Sequence, residues 1–250
     1  MKSRILMTAM ILTVSLYIII PETLVAGSEM KDILAQSDTA RGNAGGIQWV
    51  IEIESIENKR KRKNTLRLKA RDFKSLATFL APAKVKGRKV LQIDRNMWFI
   101  KPGLRKPVSI SPRQKLMGAA AYGDIASTNY AGDYNISGSS EDNINGEPCH
   151  RLTLVAKDKK VTYDKIEYWI SRDKNVGIKA EFYTISGKML KWAAIEYGNK
   201  IKNEGKISPF VSKMTIHDAI IEANITTLTY SKVKLKKIPD STFNINLLLR

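Results

Sequence analysis

Cysteine and histidine are scarce in this chain of 250 residues. Cys149 is the single cysteine, so no disulfide can form within one molecule. The two histidines, His150 and His217, lie far apart and outside the short spacings that bring zinc ligands together. The sequence therefore predicts two histidines in ordinary strands, no metal site and no cofactor.

Motifs that identify enzymes are also missing. The chain carries no nucleophile elbow, phosphate-binding loop or paired-carboxylate signature. Asp124 and Asp133 flank Asn129 and Tyr130, a pattern that suits either a polar site or, more simply, turn-forming residues. We predict that the protein is not an enzyme.

The apolar run of residues 5–20 is shorter than the roughly 18 residues expected of a membrane-spanning helix. Lys2 and Arg4 precede it and small residues follow it, as in a secretory signal peptide; a retained anchor is the alternative. Ser28 stands where a lipoprotein signal would carry cysteine. We therefore assign residues 1–27 to a signal peptide and residues 28–250 to a single exported domain that is not lipidated.

Basic residues outnumber acidic ones by 42 to 24, which gives a formal charge of +18. Removing Lys2, Arg4 and Glu22 with the signal peptide leaves 40 basic and 23 acidic residues, or +17. We predict no nucleic-acid partner, because an exported chain meets little nucleic acid and no such binding module is present. The densest basic run, residues 59–63, is either a solvated hairpin turn or a surface for anionic lipid headgroups or an acidic partner.

A period of two dominates the chain after a short helical pattern in residues 29–40, for which Ser28 is a candidate N-cap. Apolar residues alternate with polar ones in about ten runs, and turn signals such as Asn145–Gly146 separate them. Short strands with one polar face predict an antiparallel barrel or a strongly curved sheet. Such a barrel is either filled by its own side chains or hollow enough to hold a ligand.

The apolar side of the alternating runs is expected to line the interior, either as a filled core or as the wall of a hydrophobic cavity. The residues that we place there are Trp49, Ile51, Leu66, Leu68, Phe182 and Trp192. Trp98 and Trp169 fall on the opposite parity, which predicts that they pack beneath helices or form an exterior docking patch.

Residues 87–133 form the most distinctive stretch of the sequence. A strand at residues 89–93, a turn at residues 94–96 and a return strand at residues 97–100 predict a tight hairpin. The small apolar segment at residues 116–121 has helical propensity, and Pro112, Gly118 and Gly123 are candidate hinges. We predict a movable lid over the cavity; a static plug is the alternative. Its predicted ligand-binding residues are Met97, Phe99, Leu116 and Met117.

Several residues in fixed order resemble one family, the periplasmic outer-membrane lipoprotein-sorting proteins related to the carrier LolA. The resemblance rests on Phe79, Pro82, Lys86–Gly87, Met97–Trp98, Pro102, Arg105, Met117–Gly118 and Gly123–Asp124. It continues through Gly146, Pro148, Tyr168–Trp169, Phe182, Pro239 and Phe243. The chain departs from the common pattern at residues 119–124, where AAAYGD replaces a Gly-Ser-Asp-Phe type of segment.

The resemblance implies a mainly β fold, an incomplete (half-open) antiparallel β-barrel with short α-helices forming a lid. It also implies a soluble periplasmic carrier that binds the acyl chains of lipoproteins in the barrel cavity. Its partners would be an inner-membrane transporter and an outer-membrane acceptor, with transient contact to the membrane surface. The alternatives are a lipid shuttle for an inner-membrane transporter of the resistance-nodulation-division type, and a cargo-free structural barrel of the envelope.

Overall fold

The alternating runs form strands in the computed structural model, which describes residues 22–126, 128–203 and 206–249. In chain order the strands are β1 (Ile47–Glu57), β2 (Arg60–Arg71), β3 (Lys74–Ala81), β4 (Lys89–Ile93), β5 (Asn96–Ile100), β6 (Val108–Ile110), β7 (Lys115–Met117), β8 (Ala120–Ala121), β9 (Tyr134–Ile144), β10 (Glu147–Ala156), β11 (Lys165–Ser171), β12 (Gly177–Tyr183), β13 (Met189–Glu196), β14 (Asn199–Asn203), β15 (Lys206–Phe210), β16 (Lys213–Asp218) and β17 (Ile225–Leu235).

The helices are few and, after the first, short. They are α1 (Glu22–Thr39), α2 (Tyr122–Ile125), α3 (Tyr130–Asp133) and α4 (Ile245–Leu248), with 3-10 turns at Ala83–Val85 and Asp240–Phe243. Helix α1 begins earlier than the sequence predicts, so Ser28 lies inside it and is not its N-cap. Of the predicted signal peptide, residues 1–27, the first 21 residues lie outside the described part of the chain. Within the described part of the chain, no helix is both long and apolar enough to cross a membrane.

One large sheet contains thirteen of the strands, in the order β6-β5-β4-β3-β2-β1-β17-β16-β13-β12-β11-β10-β9. Every neighbouring pair is antiparallel. Strands β6 and β9 are its two edges, so the sheet curves without closing, and we call it the open barrel. The predicted incomplete antiparallel barrel is confirmed, as is the hairpin of β4 and β5, whose turn residue Asp94 has a φ of +54°.

The concave face of the open barrel is filled by side chains. Trp49 lies opposite Leu68, and Ile51 opposite Leu66, in the pairing of β1 with β2. These four residues and Phe182 are at most 1% exposed. Burial of this kind contributes about 1.5–3 kcal/mol for each large apolar side chain. Five of the six residues that the sequence places inside therefore do lie inside.

The placement of Trp192 on the inner face is wrong. In β13 the buried residues are Lys191, Ala193 and Ile195, so Trp192 points to the outer face. There its indole stacks on His217 of the adjacent strand β16, with ring centroids 3.9 Å apart. The reason is the partner of Lys191, described below: a buried carboxylate holds the lysine inside and thereby sets the parity of the strand.

Trp98 and Trp169, which fall on the opposite parity in the sequence, lie on the outer face of the sheet. Trp98 packs with Leu91 and Phe243 beneath the C-terminal helical segments, one of the two placements that its parity predicts. Trp169 is covered by side chains of its own sheet, since the charged groups of Arg151 and Lys179 lie 5.1 and 4.3 Å from its ring. Its indole N–H donates to the Asp142 carboxylate at 2.7 Å.

Candidate functional site

A cleft opens at the end of the open barrel where β2 begins and β3 ends. Its volume is about 390 Å³, and Phe79, Phe99, Leu116 and Met117 supply its apolar wall. Basic side chains stand around it, namely Arg62, Lys63, Lys84 and Arg88. Arg62 and Lys63 are paired with glutamates of β1, whereas Lys84 and Arg88 are in no ion pair between described residues. An apolar wall below a cationic rim suits an amphiphile, whose acyl chain would enter and whose anionic headgroup would stay at the rim.

The hairpin of β7 and β8, which we call the plug hairpin (residues 115–121), fills the interior beside this cleft. The sequence predicts a short helix here, and that is wrong. Gly118 adopts a φ of +59°, which lets the chain turn back at once and pair as strands. A Cβ atom on Gly118 would lie 2.1 Å from Thr226 Oγ1 and 2.7 Å from Ser55 Cβ. The missing side chain therefore lets the plug hairpin press directly against β1 and β17.

Polar contacts anchor the plug hairpin. The Ala119 N–H donates to Thr226 Oγ1 at 2.8 Å, and Lys191 Nζ donates to the Ala119 carbonyl at 2.7 Å. Near its start, Lys115 Nζ lies 2.5 Å from Glu57. Its side chains are mostly those of alanine and glycine, which bury little apolar area. Hydrogen bonds and ion pairs therefore carry much of its attachment to the sheet.

A buried ion pair lies directly behind the plug hairpin. Lys191 Nζ is 2.6 Å from Asp124 Oδ2, and the two side chains are only 6% and 3% exposed. Asp124 also accepts from Tyr163 Oη at 2.6 Å and from the Ala121 N–H at 2.8 Å. Burial and the Asp124 charge raise the pKa of Tyr163 well above its usual value, so its hydroxyl remains a donor. Each oxygen of the buried carboxylate thus has a donor.

Asp124 and Asp133, which the sequence offers as one polar site, have separate partners. Asp133 accepts from Arg95 Nε at 3.0 Å, and Arg95 also lies 3.5 Å from Asp158. Arg95 sits in the turn between β4 and β5, whereas Asp133 immediately precedes the edge strand β9. This ion pair ties two distant parts of the sheet to each other. We assign Asp133 a structural role.

A second set of buried polar side chains, Asp38 and Arg41, lies where the end of α1 packs against α3. Asp38 Oδ2 accepts from the Ala131 N–H at 2.9 Å, and the Arg41 guanidinium lies 5.3 Å from the Tyr130 ring centroid. Asp38 Oδ1 and Arg41 Nη1 are buried without a hydrogen-bond partner in the described residues. Arg41 faces a small pocket of about 40 Å³, which has room for about three waters but not for an acyl chain.

Burial raises the pKa of Asp38 to about 7, while the Ala131 N–H and the Arg41 charge oppose the shift. An aspartate in an unfolded chain has a pKa of about 3.9. Between about pH 4 and 7, the folded protein therefore holds a proton at Asp38 that the unfolded chain has released. This stabilisation is complete below pH 4 and is lost as the pH rises through about 7.

We predict that Asp38→Asn removes this pH dependence, because the amide stays neutral. The difference in unfolding free energy, variant minus unchanged protein, should increase by roughly 2–4 kcal/mol between pH 4 and pH 8, because only the unchanged protein loses stability over this range. Urea unfolding of both proteins across this range measures it. Comparing the two proteins cancels the titration of every other group. A difference that stays constant with pH would show that Asp38 keeps its charge when folded.

The structure brings some of the predicted binding residues together and separates others. Phe99, Leu116 and Met117 meet at the cleft, whereas Met97 is buried beside the small pocket at Arg41. The predicted binding residues on the inner face of the strands lie in the filled core: Trp49, Ile51, Leu66, Leu68 and Phe182. Trp192 lies on the other face. A ligand-binding role stays a prediction for all of them.

Sequence reasoning missed Asp38, Arg41 and Lys191. Asp38 and Arg41 extend the buried face of α1 that begins with Ile33 and Leu34. Asp38 follows that pair by four and five residues and Arg41 by seven and eight, a helical spacing from which the continuation of this face with polar residues could have been read. Lys191 gave no such signal, because its partner Asp124 lies 67 residues away along the chain. The described residues contain no cluster of three or more groups that could hold a metal ion.

Comparisons with known proteins identify similar chains. A family model described as "Uncharacterized protein" matches residues 71–250. A LolA superfamily protein from Nitrosomonas europaea is 28% identical, with a TM-score of 0.76 over 86% of this chain and 96% of its own. An outer membrane lipoprotein-sorting protein domain from Vibrio parahaemolyticus is 21% identical, with a TM-score of 0.75 over 88% and 98%.

A DUF1329 family protein from Desulfovibrio piger is 19% identical, with a TM-score of 0.73 over 89% of this chain and 98% of its own. The identities of the Vibrio and Desulfovibrio proteins are low enough that their likeness concerns the fold alone. No curated protein sequence is significantly similar to the chain.

Proposed function

Because the chain belongs to the LolA-like family of outer-membrane lipoprotein-sorting proteins, we propose that it is a periplasmic carrier. It binds the acyl chains of a lipoprotein and delivers them from an inner-membrane transporter toward an outer-membrane acceptor. A lipid carried for a transporter is the closest alternative cargo. The signal peptide and the absence of lipidation, as Ser28 indicates, are part of this proposal.

The observation that supports the proposal most directly is the cleft between β2, β3 and the plug hairpin. It combines an apolar wall with a basic rim, at which Lys84 and Arg88 are in no ion pair between described residues. Each CH₂ group removed from water contributes about 0.8 kcal/mol. An anchor of two or three acyl chains therefore requires more apolar surface than a cleft of about 390 Å³ provides.

Movement of the plug hairpin supplies the missing space in this proposal. Displacing Gly118, Ala119 and Ala120 uncovers little apolar area of their own, but it exposes the inner face of β1 and β17 against which they pack. Three contacts must break: the hydrogen bond from the Ala119 N–H to Thr226, the hydrogen bond from Lys191 to the Ala119 carbonyl, and the ion pair of Lys115 with Glu57. Acyl chains in the uncovered groove would offset their loss.

Native mass spectrometry of protein purified without detergent tests for cargo. We expect added masses of one or more acyl-chain molecules, and a lipid-bound fraction at least about fivefold smaller for Leu116→Glu. Leu247→Glu is the matched control, because Leu247 is 44% exposed in α4 and does not line the cleft. Equal lipid occupancy in the two variants would locate the cargo somewhere other than the cleft.

A reversible cross-link tests the movement. In a Cys149→Ser background, Ala119→Cys and Thr226→Cys place two thiols where the Ala119 amide now contacts the Thr226 side chain. The oxidised protein should load lipid at least about tenfold more slowly than the same protein after reduction. Loading at one rate in both forms would mean that the plug hairpin does not move.

A cargo-free structural barrel is the second candidate, and the filled interior is the observation that favours it. The inner residues of β1 and β2 are fully buried by protein alone, and the pocket at Arg41 measures only about 40 Å³. A structural barrel should purify with a clean protein mass and be indifferent to the oxidised cross-link.

A further inference from the structure

Three loops lie side by side at the cleft end of the open barrel. The β12–β13 loop, the β16–β17 loop and the β1–β2 turn follow one another because their strands are neighbours in the sheet. The Ala219 N–H donates to the Leu190 carbonyl at 3.2 Å, which joins the first two. The Asn58 N–H donates to Asn224 Oδ1 at 3.2 Å, which joins the second to the third. We call these three loops the docking edge.

Large aliphatic side chains protrude from two of these loops. Ile185 in the β12–β13 loop is 89% exposed, and Ile220 and Ile221 in the β16–β17 loop are 71% and 47% exposed. The backbone holds the second pair in place, since Asp218 Oδ1 accepts from the N–H groups of both at 2.8 and 3.0 Å. Single exposed aliphatic residues are common, but three on adjoining loop tips mark an interaction surface.

Cations cover the third loop. Lys59, Arg60 and Lys61 are exposed, and no ion pair between described residues includes any of them. Lys188 adds an exposed cation beside Ile185. Glu222 is an exposed acid on the β16–β17 loop, and the three cations Lys59, Arg60 and Lys61 outweigh it. Arg62 and Lys63 are paired with glutamates of β1 and do not count toward this balance. The docking edge therefore combines protruding aliphatic side chains with uncompensated positive charge.

We propose that the docking edge binds the surface of an anionic phospholipid bilayer, with Ile185, Ile220 and Ile221 inserted among the headgroups. Lys59, Arg60 and Lys61 contact the lipid phosphates. An acidic protein would pair with the cations, but three protruding isoleucines would then need matching pockets, whereas a bilayer accepts them without any. The combination of unpaired cations and protruding isoleucines therefore favours an anionic lipid surface over an acidic protein as the partner.

This inference rests on the proposed carrier function and adds the site at which the carrier meets a membrane. Arg62 and Lys63 continue the basic run from the docking edge to the rim of the cleft. Both are paired with glutamates of β1, so the docking edge and the cleft are linked by position: a lipid leaving the bilayer at Lys59, Arg60 and Lys61 would be next to the cleft. Membrane binding and cargo loading remain separate events that can be measured separately.

Sedimentation with lipid vesicles tests the proposal on protein recovered from the periplasm of an expressing cell. The vesicles contain phosphatidylcholine with either none or about a third phosphatidylglycerol. We expect binding to the anionic vesicles only, weakening as salt is raised. Replacing Ile185, Ile220 and Ile221 together by serine should lower the partition coefficient by more than about tenfold. Replacing Lys59, Arg60 and Lys61 by glutamine should lower it by about tenfold or more.

The opposite end of the open barrel provides matched controls. Ile207→Ser removes an isoleucine that is 62% exposed in the β14–β15 hairpin, which joins the far ends of β13 and β16. Replacing Lys234, Lys236 and Lys237 by glutamine removes three exposed cations at the far end of β17. Both control variants should bind vesicles as the unchanged protein does.

Three results would overturn the proposal. The first is equal binding to vesicles with and without phosphatidylglycerol. The second is an equal loss of vesicle binding in the docking-edge and control variants. The third is a variant with Ile185, Ile220 and Ile221 replaced by serine that binds anionic vesicles as strongly as the unchanged protein. The last result would mean that charge alone acts, as for an acidic protein partner. If vesicle binding occurs while native mass spectra show no lipid, the docking edge stands and the carrier function fails. If the protein carries lipid but does not bind vesicles, the carrier function stands and the docking edge fails.

Discussion

Replacing Lys191 with methionine is expected to lower the free energy of unfolding by about 3–5 kcal/mol. The change keeps the length and apolar stem of the side chain but removes the cation 2.6 Å from Asp124 and the donor 2.7 Å from the Ala119 carbonyl. Asp124 then keeps its buried position and its remaining donors but has lost its cation. Denaturant unfolding at neutral pH measures the loss.

The exposed pair of Lys213 and Glu196 provides the control. Their charged atoms are 3.0 Å apart, but the side chains are 44% and 58% exposed. Lys213→Met should therefore change stability by less than about 1 kcal/mol. The double variant Lys191→Met with Asp124→Asn should regain part of the loss, because no buried charge is left without a partner. A Lys191→Met protein as stable as Lys213→Met would show that water already solvates the buried pair.

Lys191 also explains where sequence-based reasoning succeeds and where it fails. The alternation in β1 and β2 correctly predicts the inner face, because Trp49, Ile51, Leu66 and Leu68 pack against one another across neighbouring strands. The hydrophobic pattern and the tight turn at Asn58 and Lys59 together set the register of those strands. In β13 it predicts the wrong face, because a large aromatic residue stands next to a lysine and a buried lysine is rare.

The correct parity depends on a partner that no local pattern contains. Lys191 is buried because Asp124 lies inside the barrel, and its charge also lies 5.1 and 5.4 Å from the rings of Tyr163 and Phe182. The hairpin of β4 and β5 was predictable for the opposite reason, since its turn and both strands are adjacent in sequence. Features set by local chemistry can be read from the chain, and those set by a distant charge cannot.

The same distinction applies to the candidate site. Phe99, Leu116 and Met117 could be predicted to face a common space because they belong to one distinctive stretch of sequence. The secondary structure of residues 116–121 could not, because alanine favours a helix. What decides in favour of a hairpin is the left-handed conformation of Gly118 and the contact of its backbone with β1 and β17.

Gly118 is therefore the position at which one added carbon should release the plug hairpin. In Gly118→Ala the new Cβ would lie 2.1 Å from Thr226 Oγ1 and 2.7 Å from Ser55 Cβ, well inside contact distance. Both neighbours are short side chains on strands of the main sheet, so the hairpin must give way. Together with the unfavourable φ of +59°, this should reduce stability by about 2–4 kcal/mol.

Gly103→Ala separates the two causes, because Gly103 also has a positive φ, +85°, but nothing lies within 4 Å of its Cβ position. That variant should lose only about 1 kcal/mol, the cost of the backbone conformation.

Hydrogen exchange provides the local measurement. The Ala119 amide, which donates to Thr226 Oγ1 in the unchanged protein, should exchange much faster in Gly118→Ala. Amides in the pairing of β1 with β2 should keep their protection. If the hairpin closes the cavity, Gly118→Ala should also take up lipid faster than the unchanged protein. Equal exchange at Ala119 in both glycine variants would mean that the sheet, and not the plug hairpin, moves to admit the new carbon.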